Sequence, residues 1–447
     1  MNPMRTFLAA SVVTLLISGA SLLACAGKDG EQGPQGPQGG QGPQGPEGQQ
    51  GPPGEAGPPG TSDAGGEAGP LSCGQPCHGF GNVVDQWRYS KHYRMQNLAD
   101  EEPVWTTPGN SCGNCHAIDG VERRLAKTVD VADGGTATTD PDKGHLSFKT
   151  ASGGAGEQLY SGTGKAPVVH CTSCHAFSAT NDPHNTGSYV AGSAPLRVPA
   201  GATDYAMIEK SPSSSAVAGQ EAGKYKVGNT CVFCHKSRKD ITFYITASNT
   251  MNSYFWGPHE GPVADIYSGK GGYQFGGRTY GSAVHGTIAN GCPSCHMQPV
   301  TTNKNVPDHS MKPQLTFCKT CHSTYTGSNF DVAGGQTATK GILTKFEKLL
   351  NDLNLISRSS AAPYPALTSA ELADGAFHLD HVRPKSGAAG ADQVLDAEHA
   401  GALYNYFLVA RGKEFGLHNP VYVKQLLWDS YDRLSEGKAT TDLGPRP

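Results

Sequence analysis

Five times in 447 residues, two cysteines stand three positions apart with a histidine directly after the second. The runs are Cys112/Cys115/His116, Cys171/Cys174/His175, Cys231/Cys234/His235, Cys292/Cys295/His296 and Cys318/Cys321/His322. A sixth run, Cys73/Cys77/His78, has three intervening residues instead of two. CxxCH is the attachment signature of haem c: two thiols add to the vinyl groups on one edge of the ring, and the adjacent histidine reaches the iron. Paired CxxC motifs also supply thiolates for tetrahedral zinc, but zinc does not require a histidine after each second cysteine, whereas haem attachment does. Six haem c groups are therefore expected. They use twelve of the thirteen cysteines and leave none for disulfides.

Composition supports a fold built on such groups. Only 36% of residues are hydrophobic, while glycine (59) and proline (31) are abundant, so side chains alone would build a thin core. Porphyrins can supply the missing apolar bulk. The formal net charge of −4 and the lack of a basic block argue against a nucleic-acid partner.

Four segments are expected. Residues 1–24 read as an export signal, with Arg5 ahead of an apolar run too short for a comfortable membrane span. Leu22, Leu23 and Ala24 then lead into Cys25 in the manner of a bacterial lipobox, which would make Cys25 a lipidated membrane anchor. The alternative is ordinary signal-peptide cleavage with Cys25 lost or free. Residues 25–71 form a spacer in which glycine recurs every third position over 27–60, a period that resembles bacterial collagen-like segments because only glycine fits the axis of a triple helix. Fully extended, it would be a rod of roughly 100 Å at about 3.1 Å per residue, as a homotrimer or as a single-chain spacer. Residues 72–335 form the six-haem domain and 336–447 a helical carboxy-terminal support, together a mostly irregular and α multihaem fold.

Within 72–335 turn residues dominate, and short helices are expected to carry the motifs. Beyond 335, Ile342, Phe346, Leu349, Leu350 and Leu353 share one helical face. A second helix is expected from about 395 to 413, with His399, Leu403, Tyr406 and Ala410 on one side. A third should start at Asn419 and Pro420, an N-cap followed by proline at the first helical position.

Eleven histidines lie outside the motifs, enough for a second ligand on each of six irons, and bis-His ligation gives lower potentials than His/Met. The last two motif histidines are only 26 residues apart, so their haems are expected to be close neighbours. His285, His296, His309 and His322 fall within 38 residues and are expected to serve that pair. His145 is a further ligand candidate, since the only other histidine between the second and third motifs, His170, directly precedes Cys171.

Longer runs bring in a resemblance. WGPHEGPVADIYSGKGGYQFGGRTYGSAVHGTIANGCPSCHM (256–297) resembles a segment of multihaem cytochromes from metal-reducing and related anaerobic bacteria. The resemblance implies distal-ligand roles for His259, His285 and His309. CHAFSATNDPHNTG and WRYSKHYRM are similar to the contexts of distal His184 and His92. The run at 399–427 is similar to helices of the wider nitrite reductase and hydroxylamine oxidoreductase superfamily and implies a ligand role for His418.

Three readings follow. The first is an electron carrier that is exported, held at the outer membrane, cell surface or periplasm, and passes electrons between redox partner proteins and an external acceptor in anaerobic respiration, as single subunits or in a polymer. The second is an oxidoreductase of the nitrite or hydroxylamine type. It would need an iron with an open position beside acid/base groups, and the CxxCK motif typical of the nitrite reductases is absent. The third makes the collagen-like segment an adhesin with incidental haems, which six attachment motifs make a poor account.

Overall fold

The three helices expected in the last third of the chain form and pack on one another. The computed structural model describes residues 82–94, 136–140, 145–149, 158–159, 169, 171–186, 194–198, 225–237, 241–299, 306–359, 365–370, 381–383, 385–386 and 391–447. All of them belong to one unit, Gly66–Pro447. In chain order the helices that matter below are α1 (Val83–Arg88), α2 (Lys91–Arg94), α3 (Cys171–Cys174), α4 (Asn229–Val232), α5 (Val263–Ser268), α6 (Pro293–His296), α7 (Leu315–Cys321), α8 (Gly335–Asp352), α9 (Ala397–Gly412) and α10 (Pro420–Leu434).

The long helices begin where polar side chains satisfy their first amides. The Asp331 carboxylate accepts from the amides of Gln336 (2.8 Å) and Thr337 (3.2 Å) at the start of α8. The Thr337 hydroxyl, with those amide bonds, holds the Asp331 carboxyl below the usual range. Asp396 caps α9 by accepting from the His399 amide at 2.8 Å. Asn419 caps α10 with Pro420 next to it, as the sequence indicates.

Leu343, Phe346 and Leu350 of α8 are fully buried, and the Phe346 ring meets Tyr406 and Tyr431 edge-on. The face expected for α9 proves too narrow. All residues from Ala400 to Gly412 are buried, so beyond its first turn α9 is the central helix and has no solvent side. Asn405, in its middle, donates to the Tyr273 carbonyl (2.8 Å) and the Ser430 hydroxyl (2.9 Å) and accepts from the Tyr273 amide (2.7 Å). This ties α9 to α10 and to the loop that precedes the fifth motif. The loop passes so close that a Cβ at Gly272 would stand 2.5 Å from Leu426 Cδ1.

One hydrophobic core joins Met251, Ile266 and Phe275 to α8, α9 and α10. A smaller one, around the fourth motif, holds Val198, Tyr225, Val232, Phe233, Ala264 and Tyr267. Strands add small sheets that the sequence reading does not anticipate. β1 (Thr136–Asp140), β2 (His145–Lys149) and β3 (Gln158–Leu159) form an antiparallel meander. β4 (Ser248–Met251) pairs with the later β8 (Ala391–Asp396), with Thr250 opposite Val394, while β5 (Ile356–Ser357) pairs with β6 (His381–Val382) and β7 (Lys385–Ser386) with β8. Strands such as TATTD and SNTM lack alternating apolar residues, the signal by which a strand is read from sequence. Among the described residues, no helix is long and apolar enough to cross a membrane.

Candidate functional site: four facing histidine pairs

Each described motif closes the same turn. The backbone amides of His175, His235, His296 and His322 donate to the carbonyls of Cys171, Cys231, Cys292 and Cys318, at 2.9, 3.0, 3.0 and 2.9 Å. Positions i, i+3 and i+4 of such a turn share one face, so both thiols and the imidazole of a motif project to the same side, as covalent haem attachment requires. Among the described residues no cysteine is held in a disulfide.

A short helix lies at each described motif, as expected, without spanning it in full: Cys292 precedes α6, and Cys234 follows α4. Helix α4 ends at Val232, and Cys234 lies in the turn beyond it, its amide 3.3 Å from the Cys231 carbonyl. Its half-buried side chain packs against the smaller hydrophobic core. Val232 (0% exposed) and Phe233 (2%), the two residues between the cysteines, lie in that core. Cys234 is thus a packing residue as well as an attachment candidate, which its place in CxxCH does not reveal.

A second histidine faces each of the four motif histidines. The ring centres are 6.0 Å apart for His92 and His235, 6.3 Å for His175 and His309, 6.2 Å for His285 and His322, and 6.2 Å for His296 and His418. A metal between two imidazoles, with bonds of about 2.0 Å and about 1.1 Å from each ring centre to its nitrogen, sets the centres about 6.2 Å apart. Four pairs at that spacing fit an iron with two axial imidazoles. Among the described residues no group of three or more His, Cys, Asp and Glu side chains gathers as a tetrahedral zinc site would require.

The partners of Nδ1 indicate which nitrogen is available to a metal. Nδ1 of His175 faces the Ala194 carbonyl (2.9 Å), His285 that of Leu417 (2.8 Å), His296 that of Met311 (3.1 Å) and His309 that of Pro307 (2.8 Å). A ring that donates from Nδ1 to a carbonyl keeps Nε2 unprotonated as a ligand. His418 Nδ1 lies 3.3 Å from a carboxylate oxygen of Glu414. After α9 ends, Lys413, Phe415 and Gly416 take left-handed conformations. Glu414 accepts from the amides of Gly416 (3.0 Å) and His418 (2.8 Å), which turns the chain back so that His418 meets His296.

Burial favours the neutral form, the one that binds metal, in three of these rings. It pushes the His92 imidazolium down to about 4, helped by His235 and His296 nearby. Burial likewise lowers His296 and His309. It raises the Cys174 thiol to about 12, with Cys231 and Cys171 adding to the effect. A hydrogen bond between Cys231 and Cys292 raises the first and lowers the second.

His309 corrects an expectation. Its place in the sequence assigns it to the fifth and sixth haems, yet its ring faces His175 of the third motif. The His309 amide donates to the Gln86 side chain at 2.9 Å, which draws this segment toward α1 and away from its sequence neighbours. His92, His285 and His418, implied by resemblance, each face a motif histidine. His184 and His259 are exposed and belong to none of these four pairs; Nδ1 of His184 lies 2.9 Å from Asp182, and that of His259 3.2 Å from the Glu260 carbonyl. The backbone of His145 begins β2, and its side chain is outside the described residues. Cys25, the collagen-like segment, Cys73, Cys77, His78, Cys112, Cys115 and His116 also lie outside them. The supporting groups Met311 and Leu417 carry no signal in the sequence, because they meet the imidazoles through backbone carbonyls.

No protein-family model matches the chain. Two curated relatives, the C-type polyheme cytochrome OmcB of two strains of Geobacter sulfurreducens, are each 23% identical over 374 residues, covering 74% of this chain and 45% of theirs. The chain thus spans less than half the length of the curated relatives it matches. Among solved structures, the crystal structure of the outer cell wall cytochrome OcwA matches with a TM-score of 0.38 and 17% identity, over 79% of this chain and 50% of that one.

Proposed function

We propose that this chain, a multihaem c-type cytochrome, carries electrons through six covalently held haems from a reduced partner protein to an oxidised acceptor outside the cytoplasm. The observation that carries the proposal is the set of four facing histidine pairs at 6.0–6.3 Å. Haem c, where bound, supplies one-electron exchange between ferric and ferrous iron. The residues of this chain hold and tune it. Cys171/Cys174, Cys231/Cys234, Cys292/Cys295 and Cys318/Cys321 would form the thioethers, and His175 with His309, His235 with His92, His296 with His418 and His322 with His285 would hold the irons. Cys234, half-buried on the smaller core, would set one edge of the fourth haem against apolar side chains. At these four sites two imidazoles would ligate each iron, which would favour a low potential and leave no place for a substrate there. This supports a carrier over an enzyme of the nitrite or hydroxylamine type.

The same reading assigns the first two haems to Cys73/Cys77/His78 and Cys112/Cys115/His116, with His145, His184 and His259 as the candidates for their distal positions. Lipid on Cys25 would anchor the protein at the outer membrane or cell surface, and residues 27–60 would hold the haem domain away from the anchor, as one chain or three. Contact between copies, in a trimer or a polymer, would extend the path.

Intact mass and spectroscopy of the purified protein test this reading together. Six haem additions are expected, with irons six-coordinate and low-spin in both oxidation states. A mass matching five would remove Cys73/Cys77/His78 from the attachment sites. A large high-spin fraction that turns over nitrite or hydroxylamine would overturn the carrier reading. Labelling with a fatty-acid analogue is expected to depend on Cys25, and label retained after Cys25→Ser would exclude the lipid anchor.

A further inference from the structure

Two short segments of chain touch more than one histidine pair. The ring of His309 faces His175 of the third motif. Two residues on, the Met311 sulfur lies 2.6 Å from His92 Nδ1, which faces the fourth motif, and the Met311 carbonyl faces His296 Nδ1 of the fifth at 3.1 Å. In the second segment, the Leu417 carbonyl meets His285 Nδ1, which serves the sixth motif, while His418 faces His296 of the fifth. The motifs themselves also touch in sequence order. Val198 follows Arg197, whose amide donates to the Cys174 carbonyl of the third motif (2.9 Å), and shares a core with Val232 and Phe233 of the fourth. A Cβ on Gly228, beside α4, would stand 2.9 Å from the Cys292 sulfur of the fifth. The Gln314 side chain, ahead of the sixth motif, donates to the Gln298 carbonyl behind the fifth at 3.3 Å.

Ring orientation changes from pair to pair. The two imidazole planes meet at 29° for the third motif, 74° for the fourth, 11° for the fifth and 80° for the sixth. We infer that the third to sixth pairs stand in one row in the order of their motifs, with ligand planes alternating between near-parallel and near-perpendicular. The inference rests on reading the pairs as axial ligands. Each imidazole donates π density into the iron d orbital perpendicular to its own plane. Parallel planes raise one of two such orbitals and split them, whereas perpendicular planes raise both alike. The ferric irons therefore fall into two spectroscopic classes, a rhombic low-spin signal and a broad signal with a large maximal g value. Each neighbouring pair in the row joins one of each class.

Redox titration of the full-length, haem-loaded protein, followed by electron paramagnetic resonance, tests this. The wild type should contain at least two haem equivalents of each class. His418→Met should replace one rhombic bis-imidazole equivalent by the distinct low-spin signal of a His/Met iron and move the titration of large-g signals, because the fifth haem borders the fourth and sixth. His285→Met should likewise replace one large-g equivalent and move a rhombic one. The inference is overturned if the wild type is low-spin with fewer than two equivalents of either class. It is overturned as well if His418→Met, with its haems retained, deletes a large-g signal or leaves the large-g titration in place. A wild type that is mainly high-spin, or two variants that leave every low-spin signal intact, would overturn the ligand reading beneath it. Because the wild-type count needs no variant, poor folding of either substitution leaves the inference decidable.

Discussion

Replacing His309 by alanine is expected to turn one haem five-coordinate and high-spin, and that haem is the one held by Cys171 and Cys174. Its ring stands 6.3 Å from His175 and nowhere in sequence near the third motif. Removal leaves one axial position open, and the change is all or none for that iron, so one haem equivalent should convert. Added imidazole should restore the low-spin signal by filling the vacated position. The assignment is checked in a background lacking the third attachment site, Cys171→Ala with Cys174→Ala. There His309→Ala should produce no high-spin signal. In a background with Cys292→Ala and Cys295→Ala the signal should persist. The reverse result would return His309 to the fifth haem, where sequence proximity places it. His309→Met should keep six-coordination and raise the potential of the same haem, because a thioether favours reduced iron relative to imidazole.

Phe407→Ala is expected to cost roughly 3–5 kcal/mol of stability, the range for emptying a fully buried aromatic site. Phe407 lies in the middle of α9 with no exposure. Its ring is edge-on to Tyr406 at 5.2 Å, and the Arg411 guanidinium stands 4.1 Å above it. Arg411 is itself buried, and burial lowers it to about 10. It donates to the carbonyls of Trp256 and Pro258, so the cavity would loosen that loop as well. Denaturant unfolding should show a lower midpoint with an unchanged slope. Phe407→Leu, which keeps most of the volume, should cost much less. The low-spin spectrum should be unaltered in both, because Phe407 belongs to none of the four facing pairs. A loss under about 1 kcal/mol for the alanine variant would mean that α9 is not the centre of the core.

Local chemistry is legible in this chain without its fold. The CxxCH spacing specifies a single turn that projects two thiols and one imidazole to one side, and the bond that closes it is present in all four described motifs. The helices at 335–352, 397–412 and 420–434 could be read because apolar period, an N-cap and an N1 proline act within a few residues. Resemblance named His92, His184, His259, His285, His309 and His418 as ligands, and four of these six face a motif histidine. It did not say which iron each serves.

Only the tertiary structure decides the pairing. Three of the four facing pairs join histidines more than a hundred residues apart, so nothing local couples them. His418 reaches His296 because Glu414 and the left-handed turn at 413–416 reverse the chain after α9. His309 reaches His175 because Gln86 holds its backbone. The packing of Cys234 on the smaller core, the buried all-round character of α9 and the pairing of β4 with β8 were equally hidden, since each depends on what packs against a segment and not on the segment's own pattern. Covalent attachment and helix capping depend on residue type at fixed spacing, which a sequence states outright. Axial ligation depends on two rings meeting at about 6 Å across the fold, a distance that only the packed core sets.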